Sequence, residues 1–366
     1  MRPLDLPDFP WDSLQPYAET ARKHPGGMVD LSVGSPVDET PQLIREALAA
    51  ATDAHSYPAT AGTPALREGI VAWYARRRAV PGLSPENVMP TIGSKELVAS
   101  LAFMLGVRPG DAVVYPAVAY PTYAIGAALA GAESIAESDP SRWPANTRLV
   151  WLNSPGNPDG GVLETDALRA AIARARELGA VIVNDECYAE LNWAGDEPTP
   201  SILDPRVSDG DLTDLLSVYS LSKQSNLAGY RAGFIAGDAR LVQRLLAVRK
   251  HAGLMPPAPV QHAMTVALAD DRHVADQREK YRARRDILVP ALEGAGFRID
   301  ASTAGLYLWV TEDRPAWETV GRLADAGILC APGVYYGDDM SRHVRVGLTA
   351  SDERIRAASD RLGDFA

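Results

Sequence analysis

The sequence predicts an α/β protein with a mainly parallel sheet, followed by a smaller α+β region. Three observations predict it. Short apolar runs alternate with longer amphipathic ones from about Pro41 onward. The runs Asp111-Ala-Val-Val-Tyr, Arg148-Leu-Val-Trp-Leu, Ala180-Val-Ile-Val-Asn and Leu215-Leu-Ser-Val-Tyr are apolar on both faces, as buried parallel strands are. Near Met255-Pro-Pro-Ala-Pro the texture changes to helical text and then to short strands. At 366 residues the chain is too long for one compact core. The expected division is an N-terminal arm with a small-domain contribution (1–40), a large domain (41–255) and a small C-terminal domain (256–366).

The elements follow in order. Pro3, Pro7, Pro10, Pro16, Pro25 and Pro36 make the first forty residues read as an extended arm lying on something else. Helices are predicted over Ser94 to Gly106, Glu164 to Leu178 with Gly179 as its C-cap, and Asp238 to Lys250. A long charged helix is expected from Asp271 to Gly294. Gly305-Leu-Tyr-Leu-Trp-Val and His343-Val-Arg-Val-Gly-Leu read as strands with a helix, Ala316 to Ala326, between them. Ser351-Asp-Glu opens a closing capped helix to Leu362.

Composition excludes several classes. A net charge of −11 without a basic block speaks against nucleic-acid binding. The 2 cysteines form no CxxC pair, and the 6 histidines form no i, i+4 pair, so neither a disulfide framework nor a metal site is expected. The start, Met-Arg-Pro-Leu-Asp-Leu-Pro-Asp, has no apolar core of a signal peptide, and no apolar run approaches ~20 residues. A cytoplasmic protein is the expectation. No G-x-G-x-x-G follows a strand, which argues against a nicotinamide dehydrogenase.

Ligands of open parallel sheets bind at the carboxyl ends of the strands. Three consecutive strand candidates end there in polar residues: Asn153-Ser-Pro-Gly-Asn157-Pro-Asp-Gly, Asp185-Glu-Cys-Tyr188 and Ser220-Leu-Ser-Lys223. Arg231 follows Lys223 by eight residues, in Gly-Tyr-Arg-Ala-Gly. Taken alone, Asn157-Pro-Asp-Gly reads as a turn, Asp185-Glu as a helix start and Lys223 as a solvated loop residue. Their convergence on one edge lowers those readings. A lysine amine forms a Schiff base with an aldehyde, while hydroxyl and guanidinium groups hold a phosphate. That set suits pyridoxal 5′-phosphate (PLP). Lysine is also scarce, with only Lys23, Lys95, Lys223, Lys250 and Lys280.

The chain resembles, over essentially its whole length, the class I/II aminotransferases of the fold-type I PLP family. Ser220-x-Ser-Lys223 with Arg231, Asn157-Pro-x-Gly and Asp185-x-x-Tyr188 carry the resemblance. It implies a large domain with a mainly parallel seven-stranded sheet sandwiched by helices. It also implies that Lys223 holds PLP and shuttles the substrate proton, that Asp185 pairs with the pyridine nitrogen, and that Asn157 and Tyr188 bond its phenolic oxygen. Ile92-Gly-Ser94-Lys95, a Gly turn opening a helix, would supply backbone donors to the phosphate together with Ser220, Ser222 and Arg231. Tyr120 would stack on the ring, Arg345 would clamp the substrate α-carboxylate, and the Gly34 loop would cover the substrate. Tyr57 would reach the phosphate of a partner subunit, which makes a homodimer the expectation. Asp159 stands where threonine is frequent, and Tyr120 where some subgroups carry tryptophan; neither affects the cofactor reading.

The wider texture is similar to the actinobacterial N-succinyldiaminopimelate aminotransferases. That likeness implies glutamate as donor and N-succinyl-2-amino-6-oxopimelate as acceptor in lysine synthesis. Arg249, Lys250 and His251 are positional candidates for the acceptor's distal groups. Other specificities (aspartate, alanine, aromatic), a PLP carbon–sulfur β-lyase and a non-catalytic PLP-binding regulator are the alternatives. The regulator is disfavoured because it would need a DNA-binding domain for which this acidic chain has no room.

Overall fold

A computed structural model describes Leu6 and residues 10–365. Pro3 and Pro7 of the expected arm, and all of the segment Met1 to Asp8 except Leu6, lie outside the described residues.

The central sheet has seven strands in the order Val88–Ile92, Ala232–Gly237, Leu215–Ser220, Val181–Asp185, Thr147–Asn153, Ala112–Tyr115, Glu133–Ala136. Ala232–Gly237 runs antiparallel to both its neighbours, and the remaining pairs are parallel. All four strands predicted from apolar runs are present. The residues of Thr147–Asn153 show why the sequence reads as apolar throughout. Val150 and Leu152 face one helix layer, Leu149 and Trp151 the other. Both faces are therefore covered, and the alternation is of core against core.

Helices Gln42–Ala50, Pro64–Arg77, Thr165–Leu178 and Ala258–Ala269 bury Ile44, Ile70, Trp73, Leu168 and Met264 on one face. Helices Gly93–Leu105, Thr122–Ala130 and Ala239–Ala252 bury Leu97, Tyr123 and Leu245 on the other. The helix Ala258–Ala269 follows the change of texture near Met255, yet it packs against Gln42–Ala50 and Pro64–Arg77. Its apolar side, Val260, Ala263, Met264 and Ala267, belongs to the large core, so change of texture and change of core do not coincide.

A second core lies around a four-stranded antiparallel sheet, ordered Ala331–Pro332, His343–Gly347, Tyr307–Thr311, Arg298–Asp300. The N-terminal segment departs from the expected extended arm. Residues Gln15–Arg22 form an α-helix with Pro16 in its first turn, where a proline costs no hydrogen bond. Leu14, Ala18, Val29 and Leu31 are buried with Leu292, Val320, Val344 and Ile355 of the C-terminal part. Val29–Asp30 pairs in parallel with Ile328–Leu329. No helix among the described residues is long and apolar enough to cross a membrane. Cys187 and Cys330 are free and buried.

Candidate active site

A cavity of about 460 Å³ opens at the carboxyl ends of the parallel strands, against the N-terminal loop and the small sheet. Its walls bring together Gly34, Ser94, Lys95, Tyr120, Asn157, Asp185, Tyr188, Ser220, Ser222, Lys223, Arg231 and Arg345. Every residue assigned to the cofactor or the α-carboxylate is among them except Tyr57, whose side chain is 99% exposed on a surface loop.

Lys223 lies in the short helix Leu221–Gln224 that ends the strand Leu215–Ser220. Burial, with the cations of Arg345 and Arg231 nearby, pushes its amine below the usual lysine range. Its Nζ donates to the Gly34 carbonyl. Ser220 caps the same helix by accepting from Ser222 N at 3.2 Å, and the two hydroxyls lie 2.8 Å apart.

Asp185 ends the strand Val181–Asp185 and is buried. Burial raises its pKa, opposed by hydrogen bonds from Cys187 N and from Tyr123 Oη. Asn157 is buried at the next strand end. Its Oδ1 accepts from Arg345 at 2.8 Å, which leaves its Nδ2 as a donor for another acceptor. The turn that holds it needs Gly160 at φ +66°, where a Cβ would also stand 2.3 Å from the Ala304 carbonyl.

Arg345 enters from the small sheet and is 2% exposed. It bonds Asn157 and, at 2.6 Å, the Ser32 carbonyl, while its Nε has no hydrogen-bond partner among the described residues. The ring of Tyr307 lies 3.9 Å from its guanidinium carbon, with Tyr336 and Trp11 at 5.0 and 6.0 Å.

Arg231 adopts a left-handed φ of +57°, uncommon for a residue with a Cβ. Its guanidinium reaches the start of the helix Gly93–Leu105, where a Cβ on Gly93 would lie 2.5 Å from Nη2. Glycine at 93, with φ +69°, thus leaves a cradle of a cation, two serines and helix N–H groups, which suits a phosphate. With Lys223 and Asp185 on the same walls, the donor set fits PLP: an amine for the aldehyde, a carboxylate for the pyridine nitrogen and a phosphate cradle.

The model of the family described as aminotransferase class I and II matches residues 26–362. The chain belongs to that family. These enzymes are PLP-dependent, and the aminotransferase fold is of type I. The 4-dedimethylamino-4-oxo-anhydrotetracycline transaminase OxyQ of Streptomyces rimosus is 53% identical over 359 residues, covering 98% of this chain and 99% of that one. The probable aminotransferase Rv1178 of Mycobacterium tuberculosis is 54% identical over 358 residues, covering 98% and 85%. An LL-diaminopimelate aminotransferase of Gloeobacter violaceus is 32% identical over 382 residues, covering 96% of each. Among solved structures, an aminotransferase from Neisseria meningitidis superimposes with a TM-score of 0.86 at 30% identity, covering 99% and 97%.

Sequence reasoning missed Tyr123, Tyr307, Asn153, Cys187 and Trp11, which this aminotransferase also places on the cavity wall. Tyr123 follows Tyr120 by three residues, in the first turn of the helix Thr122–Ala130. Tyr307 was hidden in an apolar strand. Its register opposite Gly347 sets it diagonal to Arg345 on one face, a neighbour relation that pairing alone reveals. The distal-group candidates are corrected. Arg249 is fully buried and bonded through both terminal nitrogens to Glu96, at 2.9 Å each. Lys250 and His251 are exposed and line no part of the cavity.

Proposed function

We propose that this chain is a PLP-dependent transaminase that takes an amino group from glutamate and gives it to N-succinyl-2-amino-6-oxopimelate in the cytoplasm. The observation that carries the transaminase reading is the meeting of Lys223, Asp185, Asn157 and Arg345 in one cleft, with a buried guanidinium opposite a depressed lysine. The diaminopimelate-named relative supports an acceptor built on that skeleton. Buried free thiols suit a reducing compartment.

PLP, when bound, supplies an electron sink for charge developing at the substrate α-carbon. The residues do the rest. Arg345 grips the α-carboxylate of donor and acceptor in turn, so the two substrates share one site in a ping-pong order. The Lys223 amine would take up and return the proton of the substrate α-carbon; its lowered pKa keeps more of it in the basic form at neutral pH. Asp185 would pair with the pyridine nitrogen and favour its protonated form. Asn157 Nδ2 and the Tyr188 hydroxyl would serve the phenolic oxygen, and Tyr120 the ring. The backbone of Ser94 and Lys95, with Ser220, Ser222 and Arg231, would hold the phosphate. The Gly34 loop closes the substrate side. In a homodimer the exposed Tyr57 would reach the partner subunit's phosphate site.

A second reading is favoured by the rings of Trp11, Tyr307 and Tyr336 around Arg345, with Tyr120 on the same cavity. They would suit a ring-bearing oxo compound, as the name of the Streptomyces relative suggests. An acceptor screen with glutamate as donor separates the two. It should include the succinylated and acetylated diaminopimelate precursors, the oxo-acids of alanine and aspartate, and a cyclic ketone. Turnover of the succinylated acceptor above all others is expected. Its absence would end the diaminopimelate assignment and leave the family unchanged.

A further inference from the structure

Tyr307 is a buried phenol on the cavity wall to which the transaminase reading assigns nothing. It stands on the strand Tyr307–Thr311 with its hydroxyl 3.4 Å from that of Tyr188, the two rings edge to face at 5.8 Å. Its ring covers the Arg345 guanidinium, 3.9 Å from carbon to centroid. On the other side it is met by Gly34. A Cβ there would lie 1.8 Å from the Tyr307 oxygen and 2.8 Å from Cζ. Position 34 must therefore be glycine for this phenol to sit where it does, for a purely steric reason.

A proton count decides the direction of the Tyr188–Tyr307 contact. A tyrosine hydroxyl has one proton to donate and can still accept. If Tyr188 gives its proton to the phenolic oxygen of PLP, it can meet Tyr307 only as an acceptor. Tyr307 must then be the donor. We propose that Tyr307 is a positioning residue that donates to Tyr188 and so aims and strengthens the Tyr188 hydrogen bond to the PLP phenolic oxygen, in a space kept open by Gly34. The inference rests on the transaminase reading of the cleft.

Burial alone would raise the Tyr307 phenol, but Arg345 from the strand His343–Gly347, Lys223 from the helix Leu221–Gln224 and the hydrogen bond with Tyr188 bring it below its ordinary value. Tyr188 is held far above its own value by burial and by Tyr307. The remaining titratable neighbours, the Tyr336 and Tyr281 phenols and the Cys187 thiol, are groups that burial keeps protonated. Chained hydrogen bonds also polarise one another, so a donor to Tyr188 improves Tyr188 as a donor.

The test uses the holoenzyme and the variants Tyr307→Phe, Tyr188→Phe, Gly34→Ala and the double variant Tyr307→Phe/Tyr188→Phe. Two quantities are read without turnover: the dissociation constant of PLP by equilibrium dialysis, and the pH midpoint of the visible absorbance of bound PLP. Tyr307→Phe should weaken PLP binding roughly 3- to 10-fold, the worth of one hydrogen bond. It should also raise the midpoint, in the direction of Tyr188→Phe. Gly34→Ala, which displaces the phenol, should move both readouts the same way. Adding Tyr307→Phe to Tyr188→Phe should change nothing further, because the two act in series. Unchanged affinity and midpoint in Tyr307→Phe, or additive effects in the double variant, would overturn the proposal. A wild-type protein that binds no PLP would fail earlier, and would overturn the transaminase reading itself.

Discussion

The buried Tyr123 hydroxyl donates to Asp185 Oδ2 at 3.0 Å, while the other carboxylate oxygen accepts from Cys187 N at 3.2 Å. Burial keeps the Tyr123 phenol protonated, so the donor is permanent. The contact opposes the burial that raises Asp185, and so favours the ionised carboxylate that a pyridinium requires.

Tyr123→Phe removes that bond without removing the ring. Asp185 should then rise further and protonate at a higher pH. PLP affinity should fall roughly tenfold, as for a hydrogen bond to a charged group. The acid limb of a PLP-binding titration against pH should move to higher pH. An unmoved limb would show that Tyr123 only packs.

Arg345→Lys keeps the charge and loses the planar fork. Steady-state kinetics should show kcat/KM lowered roughly 10- to 100-fold for glutamate and for the oxo-acid alike. A loss confined to one half-reaction would mean that the substrates do not share this guanidinium.

Lys223 has a stability consequence besides its chemical one. A folded-state pKa below the unfolded one means that the folded state resists the charged amine. The cost is present at neutral pH and fades as pH rises into the lysine range. PLP-free Lys223→Ala should therefore melt at a higher temperature than PLP-free wild type at pH 7. Calorimetry across pH should show the gap narrowing toward alkaline pH, and a gap that widens would contradict the assignment.

Behind the site, Glu186 accepts from Arg78 at 2.8 Å, Ile202 N at 2.8 Å, Ser201 at 3.0 Å and Asn184 at 3.1 Å, with Arg78 and Glu186 both buried. Glu186→Gln strands the Arg78 cation. Urea unfolding should report a loss of about 3–5 kcal/mol, the cost of breaking a buried pair from one side. A loss within 1 kcal/mol of zero would show that Arg78 finds water instead.

What was legible in the sequence was what lies at strand ends. Asn157, Asp185 and Lys223 each follow a run of core residues, so order along the chain becomes adjacency in space. The parallel pairing of these strands is what converts one into the other. Less legible were residues placed by packing across the chain. Tyr307 and Arg345 meet through an antiparallel register, and Tyr123 reaches Asp185 across the sheet from its helix. The edge strand Glu133–Ala136 is mostly exposed and carries too little apolar text to stand out. The helix Gln15–Arg22 was obscured by its prolines, one of which occupies a first-turn position that helices accept. Arg249 looked available for a substrate because its partner Glu96 lies far away in sequence, on another helix.

The most direct measurement is the glutamate half-reaction. PLP-loaded protein is mixed with glutamate alone, and 2-oxoglutarate is counted against subunits while the visible spectrum is followed. One equivalent of 2-oxoglutarate per subunit, with loss of the PLP band in wild type and neither change in Lys223→Ala, is the predicted result. No 2-oxoglutarate from wild type, or an equal yield from Lys223→Ala, would contradict the assignment of Lys223 as the group that moves the proton.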